Sequence, residues 1–236
     1  MSDINISIPG GKKKRLLTGG KYCPKDIVVE VVGGGDTDVD AAFEAGRKAE
    51  RDLFWDAIQN GGDKQNYYYA FSYNRFTDAN FFPKYDIKCS DGTTPGRYVF
   101  YNSPNITDTK VGVYANSNNA QYIFYGSGLV TIRLFYVYET TNLNNAFGNC
   151  TALENITMGG VIGKDVSFEN SDKLTHDSII SIINTLSATT TGQSVTFSVT
   201  AVNNAFETSA GVSDGSTSDE WKALIATKSN WTITLA

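Results

Sequence analysis

Tyr98-Val99-Phe100-Tyr101-Asn102-Ser103 and Tyr122-Ile123-Phe124-Tyr125-Gly126-Ser127 are two versions of one phrase, and looser copies stand on either side, Tyr69-Ala70-Phe71 before them and Asn145-Ala146-Phe147 after. Each copy runs on through small or polar residues to an apolar one, in turn Phe76, Ile106, Leu129 and Leu153. The phenylalanines Phe71, Phe100, Phe124 and Phe147 are separated by 29, 24 and 23 residues. A period in the twenties, kept while the intervening residues drift, marks a solenoid in which each unit is one turn of the chain. One turn cannot bury its own apolar face, so these four rings are expected to stack into a continuous spine. Short strand-like pieces lie between the phrases: Tyr85–Lys88, Val111–Tyr114 and Thr131–Phe135. Asn- and Ser-rich turns, most plainly Asn116-Ser117-Asn118-Asn119, separate them.

Outward from the repeats, the first 35 residues form a unit of another kind. Ile4, Ile6 and Ile8 alternate with Asp3, Asn5 and Ser7, the period of a half-buried strand, and Pro9-Gly10-Gly11 is expected to end it. Lys14–Thr18 and Asp26–Val32 read as two further strands. The basic run Lys12-Lys13-Lys14-Arg15, beside Gly10-Gly11, fits a solvated hairpin tip. Gly33-Gly34-Gly35 is a joint. Asp36-Thr37-Asp38 then supplies capping oxygens to a helix whose apolar and small residues, from Val39 to Ile58, fall three and four apart, until Asn60-Gly61-Gly62 stops it. That helix is read either as the three-stranded neck of a homotrimer or as a helix packed on the first coil; its spacing serves both.

Beyond Gly163 the unit becomes heavier. Leu174–Leu186 reads as a helix capped near Thr175, with Ile179, Ile180, Ile182, Ile183 and Leu186 inward. Val195–Val199 reads as a strand, Asn204-Ala205-Phe206 echoes the repeat phrase, Ser218–Thr227 is a second short helix, and Trp231–Leu235 a last strand. The fold class is therefore α+β: a small N-terminal β module (1–35), a connecting helix (36–62), and a solenoid (63–236) closed by helix-strand units that cap its open end.

Asn145-Ala146-Phe147-Gly148-Asn149-Cys150-Thr151-Ala152-Leu153-Glu154-Asn155-Ile156-Thr157 resembles the repeat unit of BspA-type leucine-rich repeats. Upstream, tyrosine stands where that family has a small residue, and the cysteine is kept only as Cys150. The stretch Leu16–Val29, with Gly19-Gly20-Lys21-Tyr22-Cys23-Pro24 at its centre, resembles a segment near the start of phage and prophage tail or fibre proteins. Together these resemblances imply a phage virion appendage with a leucine-rich-repeat-like domain. Other phage structural proteins would be its partners through residues 1–35, and a host surface protein or glycan would be its target. The implied location is the virion, the chain being made in the host cytoplasm; the rival implication is a bacterial cell-surface adhesin.

Charge and composition narrow the function classes. Charged residues are 19% and aromatic residues 12% of the chain, so there is enough apolar material for a core and the chain is not a disordered tail. A net charge of -5 supplies no general counter-ion for phosphate, which argues against nucleic acid as a partner. The start of the chain lacks the basic end and apolar run of a secretory signal, and no stretch is long enough for a membrane span, so membrane insertion is not expected. Cys23, Cys89 and Cys150 are widely spaced and form no C-x-x-C pair; they read as reduced and buried, with no metal or other cofactor. No nucleophile elbow, phosphate loop or H-E-x-x-H is present, and His176 is the single histidine, read as a surface residue or capping neighbour. A carbohydrate-active enzyme would need paired carboxylates, for which Asp86, Asp91, Asp108 and Glu139 are the candidates; all fall in repeat turns where acidic residues are ordinary. The expectation is a protein that is not an enzyme. Its functional interest lies in tyrosine, which joins a rigid apolar ring to a hydroxyl and suits sugar and protein contacts. Tyr98 and Tyr122 are read as an internal or half-buried ladder. Tyr101 and Tyr125, each one residue past a spine phenylalanine, are read as outward binding residues, together with Tyr73 and Tyr114.

Overall fold

The computed structural model describes the backbone of residues 6–9, 12–15 and 28–32 and, with side chains, residues 71–72, 76–78, 81, 83, 86–89, 97–115, 118–206 and 214–236. The chain divides into two compact units, Met1–Gly62 and Asp63–Ala236. The connecting helix of 36–62, and with it the trimer neck, lies outside the described residues.

In the first unit, β1 (Ile6–Pro9), β2 (Lys12–Arg15) and β3 (Val28–Val32) form one sheet in the order β1-β3-β2. The basic run is thus a strand and not a hairpin tip. β3 lies between β1 and β2, running parallel to β1 and antiparallel to β2. A valine-rich β3 favours the central place, and lysines on an outer strand discourage further pairing there. β1 ends at Pro9, as the Pro9-Gly10-Gly11 run leads one to expect, and the proline falls on an edge strand, where it is tolerated.

In the second unit each coil contributes a strand and a phenylalanine phrase. β4 (Ile87–Lys88), β5 (Gly112–Tyr114), β6 (Thr131–Val137) and β7 (Asn155–Gly160) form an all-parallel sheet in chain order. Ile87, Val113, Phe135 and Met158 stand in register on its inner face and are buried. Opposite, the phrases make their own coil-to-coil ladder. Phe71 N–H donates to Val99 O at 2.8 Å, Phe100 N–H to Ile123 O at 2.7 Å, and Phe124 N–H to Ala146 O at 3.0 Å. The backbone is therefore satisfied on both sides of the coil, as a buried backbone must be.

The expected spine is present and longer than the repeat phrase. Phe71, Phe100, Phe124, Phe147, Phe168 and Phe197 follow one another with ring centroids 5.1, 5.6, 5.5, 4.4 and 5.9 Å apart. Phe135 crosses from β6 to meet Phe124 edge-on at 5.0 Å and Phe147 at 5.8 Å, which ties the sheet to the spine. Three residues past Phe100, Phe124, Phe147 and Phe168 stand Ser103, Ser127, Cys150 and Ser171, all buried. Ser103 Oγ donates to Phe71 O, Cys150 Sγ to Phe124 O at 3.1 Å and Ser171 Oγ to Cys150 O at 3.3 Å, so at three of these four places a small donor links its coil to the previous one. Cys89 and Cys150 are free and buried, and burial pushes the Cys150 thiol up to about 12.

After β7 the two sides of the solenoid change roles. β8 (Val166–Phe168), β9 (Gln193–Phe197) and β10 (Trp231–Leu235) form a second parallel sheet, ordered β10-β9-β8, that carries the spine on through Phe168 and Phe197. On the first sheet's side, α1 (His176–Thr185) takes the place of a further strand beside β7. Ser178 and Ser181, one turn apart, accept the Ile156 and Met158 N–H groups at 2.9 and 2.8 Å, and Thr175 N–H donates to Glu154 O at 3.0 Å. A helix thereby ends a ladder that would otherwise present unpaired amides. α2 (Val199–Ala205) and α3 (Asp219–Ala226) follow, capped by Ser198 and Ser218 respectively. Phe206 does not join the spine despite its repeat-like phrase. It follows α2 and packs on Trp221 at 5.2 Å and on the His176 ring at 4.8 Å. Ile180 is only half-buried, because Ile179, Ile182 and Ile183 already fill the inner face of α1.

His176 ties α1 to α3 through Nε2···Glu220 Oε1 at 2.8 Å, with Asp177 Oδ1 3.5 Å from Nδ1. Burial, the largest single influence on the imidazole, lowers its pKa. The hydrogen bonds and charges of Glu220 and Asp177 outweigh that and hold it above the ordinary histidine value. A raised folded-state pKa means the tie contributes fully below the unfolded value of about 6.5 and is lost as pH rises through the folded one. The thermal midpoint is expected to fall slightly as pH is raised through neutrality. Glu220→Gln should flatten that slope, and an unchanged slope in this variant would remove the tie from the account.

Candidate functional site: two tyrosine ladders

The phrase that supplies the spine also builds the outer surface. In Tyr98-Val99-Phe100-Tyr101 and Tyr122-Ile123-Phe124-Tyr125 the two middle residues are buried and the outer two half-buried. Each phrase closes as a turn, Tyr101 N–H donating to Tyr98 O at 3.2 Å and Tyr125 N–H to Tyr122 O at 3.3 Å. First and fourth side chains therefore meet, edge to face, at 5.3 Å in one coil and 5.6 Å in the next. Between coils the rings stack, Tyr98 on Tyr122 at 5.2 Å and Tyr101 on Tyr125 at 5.4 Å. The reading of Tyr98 and Tyr122 as an internal or half-buried ladder holds in its half-buried form; Tyr101 and Tyr125, read as outward, are half-buried as well and stack beside them, so all four form one cluster. An Arg97 guanidinium lies 5.9 Å from the centre of the Tyr98 ring.

The backbone beneath the ladder is unusual. Tyr98, Tyr122 and Asn145 hold equivalent places with φ of 60°, 57° and 53°, and Asn102, Gly126 and Asn149 hold a second set at 49°, 64° and 55°. Asparagine and glycine are the residues that enter this left-handed region readily; tyrosine is not. The cluster ends at the next coil on Asn145, Gly148 and Asn149. Asn145 Nδ2 donates to Tyr122 Oη at 3.2 Å, and Asn149 Nδ2 to Tyr125 Oη at 2.8 Å. Gly148 lies directly under the Tyr125 ring, where an added Cβ would sit 2.7 Å from Tyr125 Cδ2. Gly148→Ala is accordingly expected to cost about 1–3 kcal/mol through overpacking and to swing Tyr125 off the stack. Denaturant unfolding and the near-ultraviolet tyrosine signal would report this, and an unaltered signal would mean the ring is not seated on the glycine.

A second ladder lies on the outer face of the first sheet. Tyr114 stacks on Tyr136 at 5.4 Å, Tyr138 meets Tyr136 edge-on at 5.7 Å, and the Tyr136 ring leans over its register partner Gly159. Tyr138 and Val161, which follow register partners Val137 and Gly160, are 48% and 39% exposed and leave an apolar patch at the strand ends. Of the four tyrosines singled out from the sequence, Tyr101 and Tyr125 are together in the first ladder and Tyr114 is in the second. Tyr73 lies outside the described residues. Asn145 and Asn149 were not singled out; their signal was the shared repeat position with Tyr122 and Gly126.

The carboxylates considered for glycosidic chemistry are dispersed and bound. Asp86 Oδ1 accepts the Gly112 N–H at 2.9 Å, and Asp108 pairs with Arg133 at 2.5 Å. Glu139 Oε1 accepts the hydroxyls of Ser187, Thr189 and Thr190 at 2.6, 3.2 and 3.0 Å, and these bonds lower its pKa. Asp91 lies outside the described residues. Among the described residues, no group of three His, Cys, Asp or Glu side chains could hold a metal ion, and no helix is long and apolar enough to cross a membrane. Compared with family models, with characterised proteins and with solved structures, the chain matches none.

Proposed function

We propose that this chain is a structural protein of a phage particle, without enzymatic activity, which docks through residues 1–35 and displays its solenoid for contact with the host surface. On this reading the solenoid is a BspA-type leucine-rich-repeat domain. The resemblance of residues 145–157 supports that class, as do the strand-and-turn coils and the serine-or-cysteine place in each. The observation that carries the display reading is the pair of tyrosines held at positive φ. A tyrosine in the left-handed region costs roughly 1–2 kcal/mol, and stacking on its neighbour returns about 0.5–1.5 kcal/mol, so Tyr98 and Tyr122 leave the fold no better off than asparagine would. Asn145 fills the same place without them. Aromatic rings retained on an outer surface at no gain in stability are the mark of a contact surface. The described strands of the first unit, a three-stranded sheet with β1 and β2 at its edges, suit a docking element.

The test is a chain lacking residues 1–35, expressed during particle assembly beside the full chain. Purified particles are expected to carry the full chain and not the truncated one, and the free full chain is expected to compete with particles for adsorption to host cells. Equal incorporation of both chains would overturn the docking assignment, and an absence of competition would overturn the display assignment.

A further inference from the structure

The two parallel sheets of the second unit end differently. β7 is covered by α1, whose Ser178 and Ser181 take its amides. β10 is the last strand of its sheet, and among the described residues nothing pairs with its far side. Ala236 N–H donates to Phe197 O and Ala236 O accepts the Val199 N–H, each at 3.0 Å. Along a parallel ladder alternate residues turn their N–H and C=O to opposite neighbours, so Thr232 and Thr234, like Ala236, bond toward β9. The N–H and C=O of Ile233 and Leu235 therefore point away from it, with Trp231 O beside them. The Trp231 N–H is already held by Lys228 O at 2.9 Å.

The side chains are left open in the same direction. Ile233 and Leu235 stand in register with Val195 and Phe197 and share their inner face. Val195 and Phe197 are fully buried, whereas Ile233 is half-buried and Leu235 is 36% exposed, so the row Phe168–Phe197–Leu235 runs out into solvent. Bare strand edges are usually blunted by charge, proline, a bulge or a cover, as β2 is by its lysines and β7 by α1. Trp231-Thr232-Ile233-Thr234-Leu235 has no charge and no proline, and its register with β9 is unbroken. Groups spaced in this way are matched by one kind of occupant, an extended backbone that adds a strand.

The strand is also its own complement. Read in either direction it is a large apolar residue, threonine, isoleucine, threonine and a large apolar residue. We propose that β10 pairs antiparallel, about Ile233, with β10 of a second copy of this chain, joining the two three-stranded sheets into one. The two Ile233 residues exchange both N–H···O bonds, and each Leu235 N–H meets Trp231 O of the other copy, which leaves only Leu235 O at each end to water. Leu235 packs on Trp231 of the other copy on the inner face. On the outer face Thr232 faces Thr234, extending the hydroxyl row in which Thr196 and Thr234 already lie 2.9 Å apart. A head-to-tail contact would need the spine open at its other end too, where Phe71 and Phe81 are fully buried; the two-fold contact uses one end twice and closes.

The experiment compares the full chain with Ile233→Lys by analytical ultracentrifugation over a range of concentrations. The variant sets two ammonium groups face to face and should weaken association by about a hundredfold or more, so the parent is expected at twice the variant's mass. Equal masses overturn the proposal. Ile233→Cys serves where the lysine variant fails to fold. Opposed residues that exchange both bonds have Cα atoms about 5.5 Å apart, within disulfide reach, whereas two copies of position 232 are two places out of register and beyond it. Under oxidised glutathione Ile233→Cys should cross-link between chains while Thr232→Cys and the parent do not. Equal cross-linking at both positions, or at neither, overturns the pairing. Ile233 and Leu235 amides that exchange freely in the isolated chain and are protected only in assembled particles overturn it in favour of a strand from another protein. None of these outcomes bears on host contact, which is tested by competition for adsorption.

Discussion

Replacing Phe124 by alanine is expected to destabilise the solenoid by about 3–5 kcal/mol, the largest single-residue effect in the described chain. Phe124 is fully buried and stacked on both faces, by Phe100 at 5.6 Å and Phe147 at 5.5 Å, while Phe135 closes its edge at 5.0 Å. Its removal therefore opens a cavity between three rings, and rigid aromatic neighbours collapse poorly into such a space. The loss has a second part particular to repeat architectures. Each coil is stable only through its neighbours, so a break at Phe124 separates the coils before it from the helix-capped coils after it. The measurable result is a fall in the thermal midpoint on the order of 10 °C, with unfolding that splits into two steps. Phe206→Ala should show no such splitting, because Phe206 lies off the spine. A loss under about 1 kcal/mol at Phe124 would contradict a continuous spine.

Removing the two serines that α1 offers to β7 comes next in size. Ser178→Ala/Ser181→Ala leaves the Ile156 and Met158 amides without acceptors in a buried setting, at about 1–3 kcal/mol for each orphaned group. Ser178 also donates to Glu154 O at 2.9 Å, but that carbonyl keeps the Thr175 N–H at 3.0 Å, so the loss falls on the two amides. Alanine is the better helix former, so any loss comes from the helix-to-strand bonds and not from the helix itself. The uncovered strand edge should pair between molecules. Light scattering on warming should therefore rise in the double variant at temperatures where the parent stays clear, and a variant as stable and as soluble as the parent would mean the amides find water instead.

How far these features could be read in advance depended on whether local sequence or long-range pairing decides them. The spine from Phe71 to Phe147 was legible because the same residues recur around each ring. Phe168 and Phe197 were not, since each enters the spine from a β-strand with no tyrosine or asparagine two places before it. Phe206 misled for the converse reason: its phrase is right, but the chain there leaves α2 toward Trp221. The lysine run was misread because composition reports solvent exposure, whereas β2 exists through its pairing with β3. The serines of α1 were silent because a serine in a helix looks neutral until a strand edge lies beside it. In the tyrosine cluster, residue identity was visible and geometry was not. Nothing in tyrosine signals a left-handed torsion, and only the alignment of Tyr98 and Tyr122 with Asn145 brings it out.

That alignment has a consequence for how such a surface can change over generations. Where one torsion is served equally by a large aromatic and by a small amide, substitution between them alters the outer chemistry while the coil beneath keeps its shape. Positions 98, 122 and 145 are sockets that take either residue type, so the outer chemistry can be re-lettered one coil at a time without a new fold.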